Sequence, residues 1–274
     1  MKFIYKDRGV ASVIGTLFAL LLGVTILSAF MTQYVPVYMK TNEFQHDNQL
    51  LSQISEMKTI IDLYVATEQV NFSFTAPITL GANGIPIFAP STPSLLTINT
   101  SGTPLFSLNF TYGGQNLFFN SSGYFYVKAL NSYYPQEQIV FLNGAIIREN
   151  INQNRSVIFV GPSFSITNVN NQKTINVYLY TLIGPYYSYT GIDTQNLQFN
   201  VLSITKNTYS TGAAYLKIDG NYAGLFIPWY SGKAALYGYS NLNSTKNTII
   251  FSGINQVNII QAYVYVQDTS QLSS

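Results

Sequence analysis

Cysteine is absent from this 274-residue chain, and histidine occurs once, at His46. The first absence excludes disulfide scaffolds, thiolate catalysis and cysteine-ligated zinc or iron–sulfur centres. The second leaves histidine metal sites and Ser-His-Asp chemistry almost without material. Charge is scarce as well: Asp, Glu, Lys and Arg make up 9% of residues, against roughly 25% in an ordinary soluble domain. The 13 Lys and Arg are scattered, so the clustered cations that bind phosphates are missing and no nucleic-acid partner is expected. These deficits argue against most enzyme classes, and the chain reads as a non-enzyme without cofactor or metal. Disorder is excluded too, because 47% of residues are apolar and 15% aromatic, whereas disordered chains combine low hydrophobicity with high net charge.

What is present begins at the N-terminus. From Gly9 to Met39 there is no charged side chain, and Val10 to Phe30 is a run of 21 mostly apolar residues. About 20 helical residues span the roughly 30 Å hydrocarbon core of a bilayer. The run exceeds the roughly 7–15 apolar residues of a secretory signal, and Leu27-Ser28-Ala29 is a poor cleavage site. Lys2, Lys6 and Arg8 precede it against a single Asp7; such positive flanks stay cytoplasmic, which places the remainder outside the cell. Ala11, Gly15, Ala19 and Gly23 recur every four residues on one helical face. Such small residues let apolar helices approach closely, although glycine and alanine are also simply common in membrane helices.

The order Lys6-Asp7-Arg8-Gly9 followed by Val10-Ala11-Ser12-Val13-Ile14-Gly15-Thr16 resembles the N-terminal domain of archaeal type IV pilins and archaellins. The resemblance covers about the first 40 residues. It implies a leader of residues 1–9, a cut by a prepilin-type peptidase between Gly9 and Val10 next to Arg8, membrane residence before assembly, and association with copies of itself or other pilins. The Glu that bacterial-type pilins carry at the fifth mature position is Ile14 here, a departure from the bacterial assembly contact. An uncleaved single-pass anchor fits the same hydrophobic length.

Pro36 predicts a kink or break near Val35, since proline lacks a backbone donor and clashes with the preceding turn. Tyr34 and Tyr38 fall where aromatic rings sit at a membrane boundary. Helical periodicity then resumes through Phe44, Leu50, Leu51, Ile54, Met57, Ile61, Tyr64 and Val65, with Glu43, Asp47, Lys58 and Asp62 mostly between them. His46 reads as a solvated residue of the polar face. One helix over 10–69, on the order of 90 Å long if straight, is expected.

From 70 to 274 the texture is short alternating runs and turn residues. Strands are expected at 71–74, 105–110, 117–119, 124–127, 174–180 and 257–266. Hairpins are expected at Asn143-Gly144 and Asp219-Gly220, and a surface excursion from Gly81 to Pro104. The fold class is α+β in total: a long N-terminal hydrophobic and amphipathic helix followed by an all-β, antiparallel, sandwich-like head. Few carboxylates imply little pH dependence of stability and suit an acidic or otherwise harsh exterior. Asn71, Asn99, Asn109, Asn120, Asn154 and Asn243 each begin an Asn-x-Ser/Thr triplet and are glycosylation candidates. Asp193 with Asn196 and Asp219 with Asn221 lack the spacing of a calcium loop and read as turn residues. The head carboxylates Glu137, Glu149, Asp193, Asp219 and Asp268 form no glycosidase motif. The tyrosines either fill the sheets or build a sugar platform. The expected function is a pilin-like structural subunit of an archaeal surface filament; the alternative is a non-polymerising, membrane-anchored binding or adhesion protein that recognises a sugar or surface-layer partner.

Overall fold

A computed structural model describes residues 4–218, 222–240 and 242–269, with side chains from residue 12 onward. Helix α1 (Ile4–Ala29) passes through a π-helical turn, Phe30–Tyr34, into α2 (Val35–Ala66). The π turn is where Pro36 demands it. In a regular helix the proline ring would clash with the Thr32 carbonyl; in the widened turn the Val35 N–H reaches back to the Phe30 carbonyl instead. The interruption expected near Val35 therefore takes the form of one widened turn.

The head contains two sheets. Strands β1 (Phe72–Thr79), β10 (Thr194–Ser210), β14 (Gln256–Asp268), β8 (Gln172–Ile183) and β7 (Phe164–Val169) form the first, in that order. The second runs β12 (Leu242–Ser244), β13 (Thr248–Ser252), β11 (Ala213–Ile218), β2 (Ser94–Tyr112), β3 (Gln115–Ala129), β4 (Glu137–Leu142), β5 (Ala145–Asn150) and β6 (Arg155–Val160), and β9 (Tyr187–Gly191) also pairs with β2. All pairs are antiparallel except β14 with β8. Asn143 (φ 47°) and Gly144 (φ 71°) turn β4 into β5 as a two-residue primed hairpin.

Two hydrophobic cores result. In one, Leu50, Leu51, Ile54, Met57, Ile61 and Val65 of α2 lie against Ile78, Phe125, Phe141, Phe199 and Val264. In the other, Phe106, Leu108, Leu216 and Phe251 are covered by Phe226 and Tyr230 of α3 (Ala223–Leu236). Strands β4 and β5 divide the two: Ile139, Phe141 and Ile146 enter the first, while Val140, Leu142, Ala145 and Ile147 enter the second. That double burial explains why these strands read as continuous apolar runs and not as alternating ones.

Several expectations are corrected. The surface excursion ends at Pro93, because β2 starts at Ser94; Pro104 lies within β2, where its register with β3 shifts. The Asp219-Gly220 turn and Asn221 lie outside the described residues, and from Ala223 the chain is helical, so no return strand follows them. Gly224, Pro228 and Gly232 hide α3 from propensity; burial of Phe226, Tyr230 and Ala234, four residues apart, holds it in place. His46, together with Glu43, Asp47 and Lys58, is buried and not solvated.

Candidate functional site: the apolar helix and its seat

From Ser12 to Ala29 every residue of α1 is exposed, and Val13, Ile14, Leu17, Phe18, Leu20, Leu21, Leu22, Val24, Ile26 and Leu27 project in every direction around the axis. Soluble monomers do not expose a continuous apolar surface of this size. The helix is long and apolar enough to cross a membrane. The threonine hydroxyls along it are satisfied internally: Thr16 Oγ1 donates to the Val13 carbonyl (2.8 Å), Thr25 to Leu21 (2.6 Å) and Thr32 to Ser28 (2.8 Å). Hydrocarbon requires that arrangement, since it offers no partner to a free hydroxyl. The small-residue face is open, with nothing within 4 Å of a Cβ placed on Gly15 or Gly23, and Ala19 is exposed. Arg8, Gly9, Val10 and Ala11 lie within α1, their side chains outside the described residues.

The seat begins with an aromatic ladder. Phe30 stacks on Tyr34 at 4.8 Å and Tyr34 on Tyr38 at 5.9 Å, while Phe88, from the loop between β1 and β2, meets Phe30 edge-on at 4.9 Å. Val35 and Met39 pack on Ala89 and Ile85. Next comes a buried polar latch. The Glu43 carboxylate accepts from Thr92 Oγ1 (2.8 Å) and from the backbone N–H groups of Ser132 (2.9 Å), Tyr133 (2.8 Å) and Tyr134 (2.6 Å). Asn131 Nδ2 donates to Asp47 Oδ2 (2.7 Å) and to the Pro135 carbonyl (3.1 Å). His46 Nε2 lies 2.9 Å from the Thr79 carbonyl, so Nε2 carries a proton. The other ring nitrogen, Nδ1, lies 3.6 Å from Asp47 Oδ1, and neither of these two buried atoms makes a hydrogen bond. Burial pushes the Asp47 carboxyl above its ordinary value, against the lowering effect of His46 and Asn131. Towards the far end of α2, Lys58 donates to Asp62, and the Tyr180 hydroxyl donates to Asp62 Oδ1 at 2.7 Å. Burial, reinforced by the Asp62 charge, holds that phenol well above the usual range.

The sequence reading missed this latch. A signal existed: Glu43, His46 and Asp47 continue the stripe of Met39, Leu50, Leu51 and Ile54 in phase, and polar residues in phase with a core stripe must face protein partners.

The head also carries an open cleft of about 1220 Å³ lined by Lys128, Glu137, Arg148, Glu149, Arg155 and Tyr222, among others. Arg148 Nε donates to Glu137 Oε2 at 2.6 Å, and Gln138 Nε2 to Glu149 Oε2 at 3.2 Å. Burial raises both Glu137 and Glu149. A cleft with both charge signs and a tyrosine can hold a polar ligand. Asp193 accepts from Tyr189 and Gln195 in the β9–β10 turn, while Asn196 pairs with Pro77 on β10; Asp268 is buried. Among the described residues no cluster of three metal-ligating acids or histidines occurs. Asn71, Asn120, Asn154 and Asn243 are exposed; Asn99 and Asn109 are half-buried, and the Asn99 amide is engaged with Tyr124. Comparison with protein-family models, curated proteins and solved structures returned no match to this chain.

Proposed function

We propose that the chain is a pilin-like structural subunit of an archaeal cell-surface filament, held in the cytoplasmic membrane by α1 with its head outside, and then assembled through the same helix. One observation carries this reading: a single helix, about 80 Å from Ser12 to Ala66, is wholly unburied in its first half and a core element of the head in its second. Such a rod exchanges lipid for sister helices without disturbing the head. The open face of Gly15, Ala19 and Gly23, a pattern that Ala11 begins in the sequence, is the contact, and a prepilin-type peptidase releases Val10 as the first residue. Glycans on the exposed Asn71, Asn120, Asn154 and Asn243 would compensate for the thin charge coat. N-terminal sequencing of native protein, expected to begin at Val10, tests processing; an intact Met1 means a plain anchor. Electron microscopy of sheared cell-surface material tests assembly.

The polar cleft beside Arg148 favours the second reading, a membrane-anchored adhesin that binds a sugar or surface-layer partner without polymerising. Binding of such a ligand, lost on Arg155→Ala and Tyr222→Ala, together with an intact Met1 would favour it.

A further inference from the structure

The loop between β1 and β2 runs alongside the helix towards the exposed apolar half. At its base Asn42 Nδ2 donates to the Asn83 carbonyl at 2.8 Å and Thr92 to Glu43; further along, Ile85 and Ala89 pack on Met39 and Val35, and at the tip Phe88 meets Phe30. From Glu43 to Phe30 the helix rises about 20 Å, so the loop advances one bilayer leaflet's depth or more and stops where the apolar run ends. The tip is built and not slack. The Ile85 carbonyl accepts from the N–H groups of both Phe88 (3.0 Å) and Ala89 (2.9 Å), and Ile85 N–H donates to the Ala89 carbonyl at 2.8 Å. Held this way, Ile87 adopts φ 72°, a conformation β-branched residues avoid, and is fully exposed beside the partly exposed Phe88. Backbone strain spent on presenting an apolar side chain to the outside marks a contact. No charged residue occurs from Gln69 to Val127, so no charge in this segment opposes transfer towards lipid.

We propose that Ile87 and Phe88 insert into the headgroup–acyl boundary of the bilayer that holds α1, a second, shallow membrane contact that fixes the head's orientation on the membrane surface. The inference rests on the membrane residence of α1 proposed above. Lipid is the assigned occupant because the tip is continuous with the spanning helix, and because Phe30, Tyr34 and Tyr38 form beside it the aromatic belt that membrane–water interfaces favour.

The chain has no cysteine, so single substitutions Phe18→Cys, Ile87→Cys and Phe118→Cys in the full chain accept one environment-sensitive nitrobenzoxadiazole label each. Phe118 is exposed on β3, in the half of the head that α3 covers. In phosphatidylcholine vesicles the labels at 18 and 87 are expected to shift to the blue. The label at 87 should be quenched more by lipids with a nitroxide near the headgroup than by lipids with one deep in the chain, while the label at 118 stays aqueous. A label at 87 as aqueous as that at 118, with 18 still shielded, overturns the loop insertion and leaves the helix reading intact. An aqueous label at 18 overturns both. Shielding at 87 that no nitroxide lipid quenches, and that grows with protein concentration, assigns the tip to a second copy and also overturns the proposal.

Discussion

Glu43 shows how much one side chain of the latch carries. It is fully buried on α2 and satisfies three backbone N–H groups and the Thr92 hydroxyl. Glu43→Gln turns one acceptor oxygen into a donor facing donors, so a loss of about 1–3 kcal/mol is expected in urea unfolding. Unchanged stability would mean that the latch contributes nothing to the fold. The buried acids also set the pH dependence. Burial raises Asp47, Glu137 and Glu149 above their ordinary values of 3.8 and 4.5, so the folded chain binds these protons at higher pH than the unfolded chain does. Their contribution is complete below the ordinary values and is lost as pH rises through the raised ones. The melting temperature should accordingly rise as pH is lowered from neutral towards those ordinary values, and Asp47→Asn should flatten part of that slope; a steady fall over the same interval contradicts this account. The expectation of weak pH dependence, drawn from the small number of acids, thus gains a direction from where those acids sit.

The long helix is one element in two settings, exposed in its first half and buried in the head in its second. Ile54 is completely buried among residues of both sheets, whereas Leu22 is 61% exposed on a segment with no buried residue from Ser12 to Ala29. Ile54→Ala should cost the head about 2–5 kcal/mol by leaving a cavity. Leu22→Ala should leave head unfolding unchanged and weaken partition into vesicles. Thermal unfolding and vesicle flotation of the two variants separate these outcomes; equal destabilisation by both would mean that α1 packs on the head after all. The π turn at Phe30–Tyr34 joins the two regimes, and because it adds a residue to one turn it sets which face of α1 continues the buried stripe of α2.

As a whole molecule, the protein is a head built around half of its own long helix. Since no residue from Ser12 to Ala29 is buried, deletion of residues 1–29 should yield a soluble, monomeric head whose melting temperature matches that of the full chain in detergent. Deletion of residues 1–66 removes Val35 to Val65 from the core and should abolish folding. Size-exclusion chromatography and circular dichroism read both. Aggregation of the first truncation would show that α1 is needed for the head to fold. The two cores on either side of β4 and β5 bind the sheets into one body, so the rod and the head orient together.

The sequence by itself determined the parts that local pattern governs. The apolar run from Val10 to Phe30 dictates a helix, Pro36 its interruption, Asn143-Gly144 the hairpin, and alternation in 174–180 and 257–266 the long strands β8 and β14. Those signals lie within a few residues of each other, where steric and periodic constraints act. Only the tertiary structure decided which groups Glu43, His46 and Asp47 meet, because their partners Thr79, Thr92, Asn131 and Tyr134 lie 33 to 91 residues away. It also decided that Gly224 to Leu236 is helical despite its breakers, and that Ile87 stands exposed beside Phe30. Each of these depends on which surfaces meet once long-range pairing is complete, and a buried polar group or a strained backbone is tolerated only where distant residues hold it.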